Sequence, residues 1–536
     1  MNKYLLMLGG GLMQMPAIEA ARKLNCHITL ADGSENAFCK NLADVFAHVD
    51  LKDVDGLITL AHKMKNTTGI DGVFTAGTDF SASVAAVAQS LDLPGHSLEA
   101  ALNASDKTRM RSCFALSDVP SPKFAKIDKN DLDSFYALSS ERFLEKFGFS
   151  EKNFPLVVKP VDNMGGRGCK MVFSAQELIQ ALKEAINFSR TKTAILEEYM
   201  DGPEFSVDSI VYNGKIIITG FADRHIFYPP YFIEMGHTMP TAYGGEDIEK
   251  LIYTFKLGVK SLGLTCGAAK GDLKLTKNGP MIGEIAARLS GGYMSGWTYP
   301  YASGIDLTEQ LLRIALGMKP TLDLFLDFVP CNAFSAERAW ISIPGVVKEI
   351  LGLSEAEKIE NIKQVFVRSK VADKVVFPQN NVEKCGNVIS QGKTRESACF
   401  ASEEAVKKIT ILLEKNNTET ENFLTQPLST DYPCSAYYDS SDDFAKIVKE
   451  IEKMSGKLCF SDGLPSGFND GLPKFLKSYK HLKDWNGKTL EFAFEQFCKI
   501  ILNYNCVKNN TKKEIAEKDF WKAFLRGGIQ GGLYIV

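Results

Sequence analysis

The chain has no CxxC pair, no close cluster of histidine with cysteine, no apolar run long enough to cross a bilayer and no large excess of charge of either sign. Each absence excludes something. Its 12 cysteines are scattered from Cys26 to Cys506, which suits neither a zinc site nor a dense disulfide framework and fits a reducing, cytoplasmic setting. A membrane-spanning helix needs about twenty predominantly apolar residues, and the N-terminal stretch YLLMLGGGLM is shorter than that and broken by glycines. That break, followed by an amphipathic helix pattern, also argues against a secretion signal. With 62 Lys+Arg against 65 Asp+Glu the net charge is −3, so neither nucleic acid nor an anionic membrane is expected as the main partner. What the chain does have is length and apolar content. Its 536 residues, 45% hydrophobic, are enough for about three or four domains with substantial cores.

The first hundred residues alternate strand and helix periodicities. Tyr4 to Leu8 reads as a buried strand, Gly9 to Gly11 as a tight turn, Pro16 to Leu24 as a helix, and His27 to Ala31 as a second strand ending at Asp32. Gly72 to Thr75 and Ser81 to Ser90 repeat the pattern. This predicts a doubly wound βαβ unit whose binding crevice lies at the carboxyl ends of the strands. The glycines with Asp32 imitate a dinucleotide fingerprint, but Gln14 stands where its third glycine belongs. A turn that starts a helix close to a strand is the better reading.

Further along, Asp106 is a suitable cap for a helix opening at Lys107, which taken alone is a solvated lysine. Phe154 to Lys159 reads as a short strand, and DNMGGRGCKMVF supplies a glycine loop leading to a second strand at Cys169 to Phe173. Gly165, Gly166 and Gly168 let backbone N–H groups turn toward phosphate oxygens, with Lys159 as a point charge; a flexible hairpin tip is the alternative. No GKS or GKT follows, so this is not a Walker loop. In EEYMDGPEF, Glu197, Glu198 and Glu204 bracket one turn between two strands. Backbone near Glu198, Tyr199 and Met200 suits a base and Glu204 suits ribose hydroxyls, against the alternative of solvated edge charge. PPYFIEMGHTMP places Glu234 and His237 in a proline- and aromatic-rich loop, where the pair serves metal, base or substrate or is incidental.

The most informative stretch is residues 271–292, GDLKLTKNGPMIGEIAARLSGG. Two apolar-alternating strands each carry a carboxylate, Asp272 and Glu284. A three-residue turn of Lys277, Asn278 and Gly279 sets Thr276 against Pro280 and Asp272 against Glu284. Directly opposed like charges destabilise a sheet. A divalent cation between them reverses that penalty, and hard oxygen ligands are what magnesium or calcium takes. On the Glu284 face Ala286 and Arg288 follow, and Arg288 leads into Leu289-Ser290-Gly291-Gly292, a combination suited to an anion. An ordinary solvated surface hairpin is the competing reading.

Taken in order, Lys107, Lys159, the GGRG loop, EEYMDGPEF and the paired strand carboxylates with a trailing arginine resemble the ATP-grasp superfamily, over about residues 1–420. SQGKTRESACFAS resembles its GxTxxxA segment, and FIEMGHTMP with EIAARLSGG is most similar to the carboxylate-amine ligases that join amino acids. The resemblance implies an α/β protein, α+β overall. Residues 1–104 form a Rossmann-like domain, 105–330 the nucleotide-binding lobes and 331–428 a closing lobe, with 429–536 a C-terminal extension of no assigned role. It implies ATP and magnesium, with manganese as a substitute. Lys107 and Lys159 hold phosphates under Gly165, Gly166 and Gly168, Glu197, Glu198, Tyr199 and Met200 meet the adenine, and Glu204 takes the ribose. Asp272 and Glu284 hold the metal ions, and Arg288 with Ser290, Gly291 and Gly292 faces the acyl phosphate and its oxyanion. Glu234 contacts metal or amine and His237 shapes the pocket. Two departures stand out. Ala286 replaces the asparagine of the family's ExNxR pattern, and the first carboxylate is the shorter Asp272. The implied reaction is ATP-dependent amide formation between a small-molecule carboxylate and an amine, with a homodimer allowed. A carboxylase or purine-type ligase, or a non-catalytic nucleotide-binding module, are the alternatives.

Overall fold

Strand β1 (Lys3–Leu8) is apolar and fully buried from Leu5 to Leu8 because it lies between parallel neighbours, a position covered on both faces. The computed structural model describes residues 3–135, 138–437, 443–460, 463–503 and 513–536. Of the sequence DGLP, which occurs at 462–465 and again at 470–473, Asp462 lies outside the described residues. The described chain divides into two units, one of residues 1–226, 237–336 and 391–398, the other of 227–236, 337–390 and 399–536.

The architecture is α/β. The first unit opens with helix α1 (Met15–Lys23), β2 (Cys26–Asp32), β3 (Val45–His48), α2 (Val54–Asn66), β4 (Gly72–Phe74), α3 (Ser81–Ser90), α4 (Leu98–Ser105) and α5 (Lys107–Leu116). Its parallel sheet runs β3-β2-β1-β4. The glycine turn after β1 is closed from within, since Gly10 N–H donates to the Asp32 carboxylate at 2.7 Å. Gln14, fully buried, exchanges both amide hydrogen bonds with the Ala76 backbone. The residue that broke the dinucleotide fingerprint thus ties the glycine turn to the loop after β4.

A second, antiparallel sheet holds β5 (Phe124–Asp128), β6 (Leu156–Pro160), β7 (Lys170–Val172) and β8 (Thr193–Glu198) in the order β5-β8-β6-β7, covered by the helix Ala175–Phe188. β9 (Glu204–Tyr212), β10 (Lys215–Phe227), β11 (Ile233–Met239), β12 (Gly267–Thr276) and β13 (Gly279–Ala286) come next. Of these, β13, β12, β9 and β10 pair antiparallel in that order. Strand β11 runs from the second unit into the first.

The hairpin of β12 and β13 corrects the expected register. Thr276 pairs with Gly279, not Pro280, so the loop is the two residues Lys277 and Asn278. Uninterrupted, that register would set Asp272 against Gly283. A bulge between Asp272 and Leu273 restores the Asp272–Glu284 pairing, and such bulges re-aim a side chain.

Strand β14 (Phe334–Trp340) runs from the first unit into the second and leads there to β15 (Gly345–Leu351), which lies between β17 (Lys374–Val375) and β19 (Thr410–Leu413); β16 (Ile362–Val367) pairs with β18 (Gly386–Gly392), whose last two residues return to the first unit. Beyond these, β20 (Lys457–Phe460) pairs antiparallel with β21 (Lys513–Ala516). The last helix, Glu517–Ile535, follows directly on β21. It contains non-helical Gly528 at φ 59°. Phe460, Phe468, Phe494, Phe497, Phe520, Trp521 and Phe524 form the buried core there. No described helix is long and apolar enough to cross a membrane, and the described cysteines are all free.

Candidate functional site

Helix α5 supplies two cations from one face. Asp106 caps it by accepting from the Thr108 and Arg109 N–H groups. Lys107 is buried rather than solvated, with Nζ 3.1 Å from the Asn163 carbonyl and 3.6 Å from Glu284. One helical turn on, Arg111 donates from Nε to Glu197 at 2.8 Å and from Nη2 to the Gly283 carbonyl at 2.6 Å. The two residues fasten the β6–β8 sheet and the bulge of β13 to the same helix.

Lys159 leaves β6 and reaches Glu197 at 2.5 Å. Glu197 is itself buried on β8, an interior strand of its sheet. Burial opposes its charge, but Arg111 and Lys159 hold its carboxyl below the usual range. Its side chain is therefore committed to two cations, not to a base. Glu198 pairs with Leu156 at the end of β8, and Tyr199 and Met200 follow beyond it, with Lys274 Nζ 4.9 Å from the centre of the Tyr199 ring. The glycine loop between β6 and β7 needs its glycines. Gly165, Gly166 and Gly168 have φ of 70°, 78° and 69°, left-handed values that favour glycine, and a Cβ on Gly168 would meet Phe188 at 2.9 Å.

Four carboxylates and a row of cations meet on the β9–β13 sheet. Glu204 pairs with Arg224 at 2.6 Å and Lys274 at 3.5 Å. Arg224 also lies 2.9 Å from Asp272, whose other oxygen is bound by Lys270. Burial opposes the charge of Glu284, yet Lys107, Lys270, Arg288 and Lys159 hold its pKa down to about 2. The same contact acts in reverse on Lys107: desolvation works against its ammonium, but Glu284, followed by Asp79, Cys169 and Glu197, holds its pKa above the ordinary lysine value. Asp208 is fully buried, and desolvation pushes it up to about 7 although Ser290 donates to it from Oγ at 2.6 Å and from N at 3.2 Å.

Arg288 is buried, 3.8 Å from Asp79, and its Nε has no hydrogen-bond acceptor. A buried donor left without an acceptor carries a desolvation penalty, which an anionic ligand would remove. A cavity bounded by Thr75, Ser81, His96 and Leu311 also borders Arg288. Gly291 approaches Gly77 in the loop after β4 closely enough that a Cβ would stand 3.5 Å from its carbonyl, and Gly292 has φ 62°. The Ser290 N–H is committed to Asp208, which removes it from the expected oxyanion contacts.

Glu234 and His237 do not lie in a loop. Both are on β11, and alternation along a strand sends residues three apart to opposite faces. His237 is fully buried, 2.6 Å from Thr298 Oγ1. Glu234 belongs to the second unit, where Asn381 and Lys384 hold its backbone.

The donor set suits a hard divalent cation. Asp272 and Glu284 face each other across the ladder, and Asp272 Oδ1, 2.9 Å from Arg224, is buried without a directed hydrogen bond. Carboxylate oxygens with phosphate oxygens are the ligands magnesium prefers.

Residues 152–296 match the ATP-grasp domain family, residues 18–95 the ATP-grasp N-terminal domain, and residues 339–414 the L-amino acid ligase C-terminal domain 2. The chain carries an ATP-grasp domain, and its relatives support the carboxylate-amine ligase branch of that superfamily. ATP-grasp enzymes bind ATP. Human carnosine synthase 1 is 25% identical over 343 residues, 60% of this chain and 40% of that protein. Alanine–anticapsin ligase of Bacillus subtilis is 26% identical over 309 residues, 52% of this chain and 62% of that one. The chain thus spans under two thirds of either relative. The crystal structure of L-amino acid ligase from Bacillus licheniformis has a TM-score of 0.65 at 20% identity, covering 77% of this chain and 99% of that one, a likeness of fold.

Sequence reasoning missed Arg111, Arg224, Lys270, Asp208 and Asp79. Two had a local signal: Arg111 is four residues from Lys107 on a helix, and Lys270 two residues from Asp272 on a strand. The others meet the site only through strand register and loop approach.

Proposed function

We propose that this chain is an ADP-forming ligase that joins a small-molecule carboxylate, of the amino-acid type, to an amine. The observation that carries this reading is the cluster of Lys107, Lys159, Asp272, Glu284 and Arg288 within one unit. A nucleoside triphosphate repels an anionic nucleophile, and fixed cations offset that charge without reorganising during reaction.

Lys107 and Lys159 are held in place by Glu284 and Glu197, and they would take phosphate oxygens as the nucleotide enters. Gly165, Gly166 and Gly168 would fold over those phosphates and exclude water from a product that hydrolyses readily. Glu204 would take ribose hydroxyls, and the backbone at Glu198, Tyr199 and Met200 would meet adenine. Asp272 and Glu284 would hold magnesium, which when bound polarises the phosphoryl oxygens. The substrate carboxylate would then attack the γ-phosphate, its charge met by the unused Nε of Arg288. The amine would displace phosphate from the acyl phosphate, with Arg288 and the backbone of Gly291 and Gly292 near the oxyanion. His237 would shape the pocket. The reading includes a cytoplasmic setting and the four segments 1–104, 105–330, 331–428 and 429–536.

The test is release of ADP from ATP with pooled amino acids, followed by mass spectrometry. The expected product has the mass of two substrates less one water. Binding of ATP with no ADP release in any pool would favour a nucleotide-binding module instead.

A further inference from the structure

Within the nucleotide reading just given, two cations on Asp272 have no assigned place, Arg224 at 2.9 Å and Lys270. Lys270 is buried, at 9% exposure, on the strand that carries Asp272. Strand register sets it between Asp208 on β9 and Ala286 on β13, with Asp272 and Glu284 forming the next row on the same face. Its ammonium binds the Asp272 carboxylate and is among the charges that stabilise ionised Glu284. An ammonium removed from water must keep carboxylate partners, since losing them leaves an uncompensated buried charge. Lys270 is therefore fixed among acids rather than free to swing away.

The oxygen donors are few. Among the described residues, no group of three or more His, Cys, Asp and Glu is arranged to hold a metal. Ala286, opposite Lys270, offers no ligand atom. Magnesium demands near-octahedral oxygen coordination. Two carboxylates with phosphate oxygens and waters complete one such shell, and a second ion would have to share them while facing the adjacent ammonium.

We propose that the Lys270 ammonium takes the place of a second divalent cation, so that the chain binds its nucleotide with one metal ion rather than two. The lysine supplies a fixed positive charge beside Asp272, where a second cation would be mobile.

The test counts Mn2+ by electron paramagnetic resonance in protein saturated with the non-hydrolysable analogue β,γ-imido-ATP, whose binding is measured first by calorimetry. The wild type is expected to saturate at one Mn2+ per bound analogue. The double variant Lys270→Met with Ala286→Asn is expected to saturate at two, and Lys270→Gln alone, which disturbs packing less, to show a second and weaker Mn2+. Two ions per analogue in the wild type would overturn the proposal, as would a count of one in folded Lys270→Gln. If the analogue does not bind at all, the nucleotide reading falls with it, a result the calorimetry separates from a wrong ion count.

Discussion

The site of the first unit and the end of the second are both densely packed, but with opposite materials. Around β6, β8, β12 and β13, buried Lys107, Arg111, Glu197, Lys270 and Arg288 are held by ion pairs. In the C-terminal extension, Phe468, Phe494, Phe497, Phe520, Trp521 and Phe524 meet with ring centroids 5.0–6.4 Å apart. Burying ions is stabilising only when partners compensate for lost hydration, and an apolar core of the same volume often serves stability as well or better. Aromatic packing contributes through area and edge contacts. The difference teaches that the first cluster is organised for a ligand and the second for folding. Substitutions should therefore separate activity from stability.

The largest expected effect is at Arg288. Its replacement by alanine removes the donor proposed to face the reacting carboxylate, and kcat/KM for ADP release should fall by about 10³-fold, in line with the loss of a preorganised oxyanion donor. Its unfolding midpoint should move little beside that. Trp521→Ala is the mirror case. A cavity in an aromatic core costs about 3–5 kcal/mol, to be read by urea denaturation, while affinity for an ATP analogue in the remaining folded protein stays unchanged.

Glu197→Ala breaks the comparison deliberately, because it leaves Arg111 and Lys159 buried without their shared partner. It should cost about 3–5 kcal/mol and also weaken nucleotide binding, so both denaturation and calorimetry should respond.

A pH effect follows from His96. Its Nε2 donates to the Ala268 carbonyl at 2.9 Å, and Nδ1 accepts from Thr265 and Cys266 N–H, an arrangement for neutral imidazole. Burial holds its pKa down to about 4 from 6.5. The unfolded chain then binds the proton more readily, so stability is fully present above pH 6.5 and declines as pH falls toward about 4. The loss should approach ~3 kcal/mol, and His96→Gln should flatten that part of the profile. The smallest expected effect is Gly168→Ala, where a positive φ and the approach to Phe188 should cost about 1–2 kcal/mol.

Legibility in the sequence followed the range of the physics. The βαβ alternation, the Asp106 cap and the strand–loop–strand around Gly165 are set by neighbours in the chain, and they stand where periodicity put them. Asp272 and Glu284 were paired through a three-residue turn, whereas the chain reaches the same pairing by a shorter loop and a bulge. No pattern of residue types announces that bulge. Glu234 and His237 were misplaced because prolines flanking β11 read as loop punctuation, while pairing in the folded chain makes the segment a strand. Arg224 was invisible because its partners Glu204 and Asp272 are 20 and 48 residues away.

The claim that the ionic cluster is the nucleotide site is tested most directly by calorimetry of β,γ-imido-ATP, with and without Mg2+, on the wild type and Glu284→Ala. The account predicts wild-type binding that strengthens with Mg2+, and a folded variant in which that strengthening is lost. Mg2+-dependent binding unchanged in Glu284→Ala would contradict it.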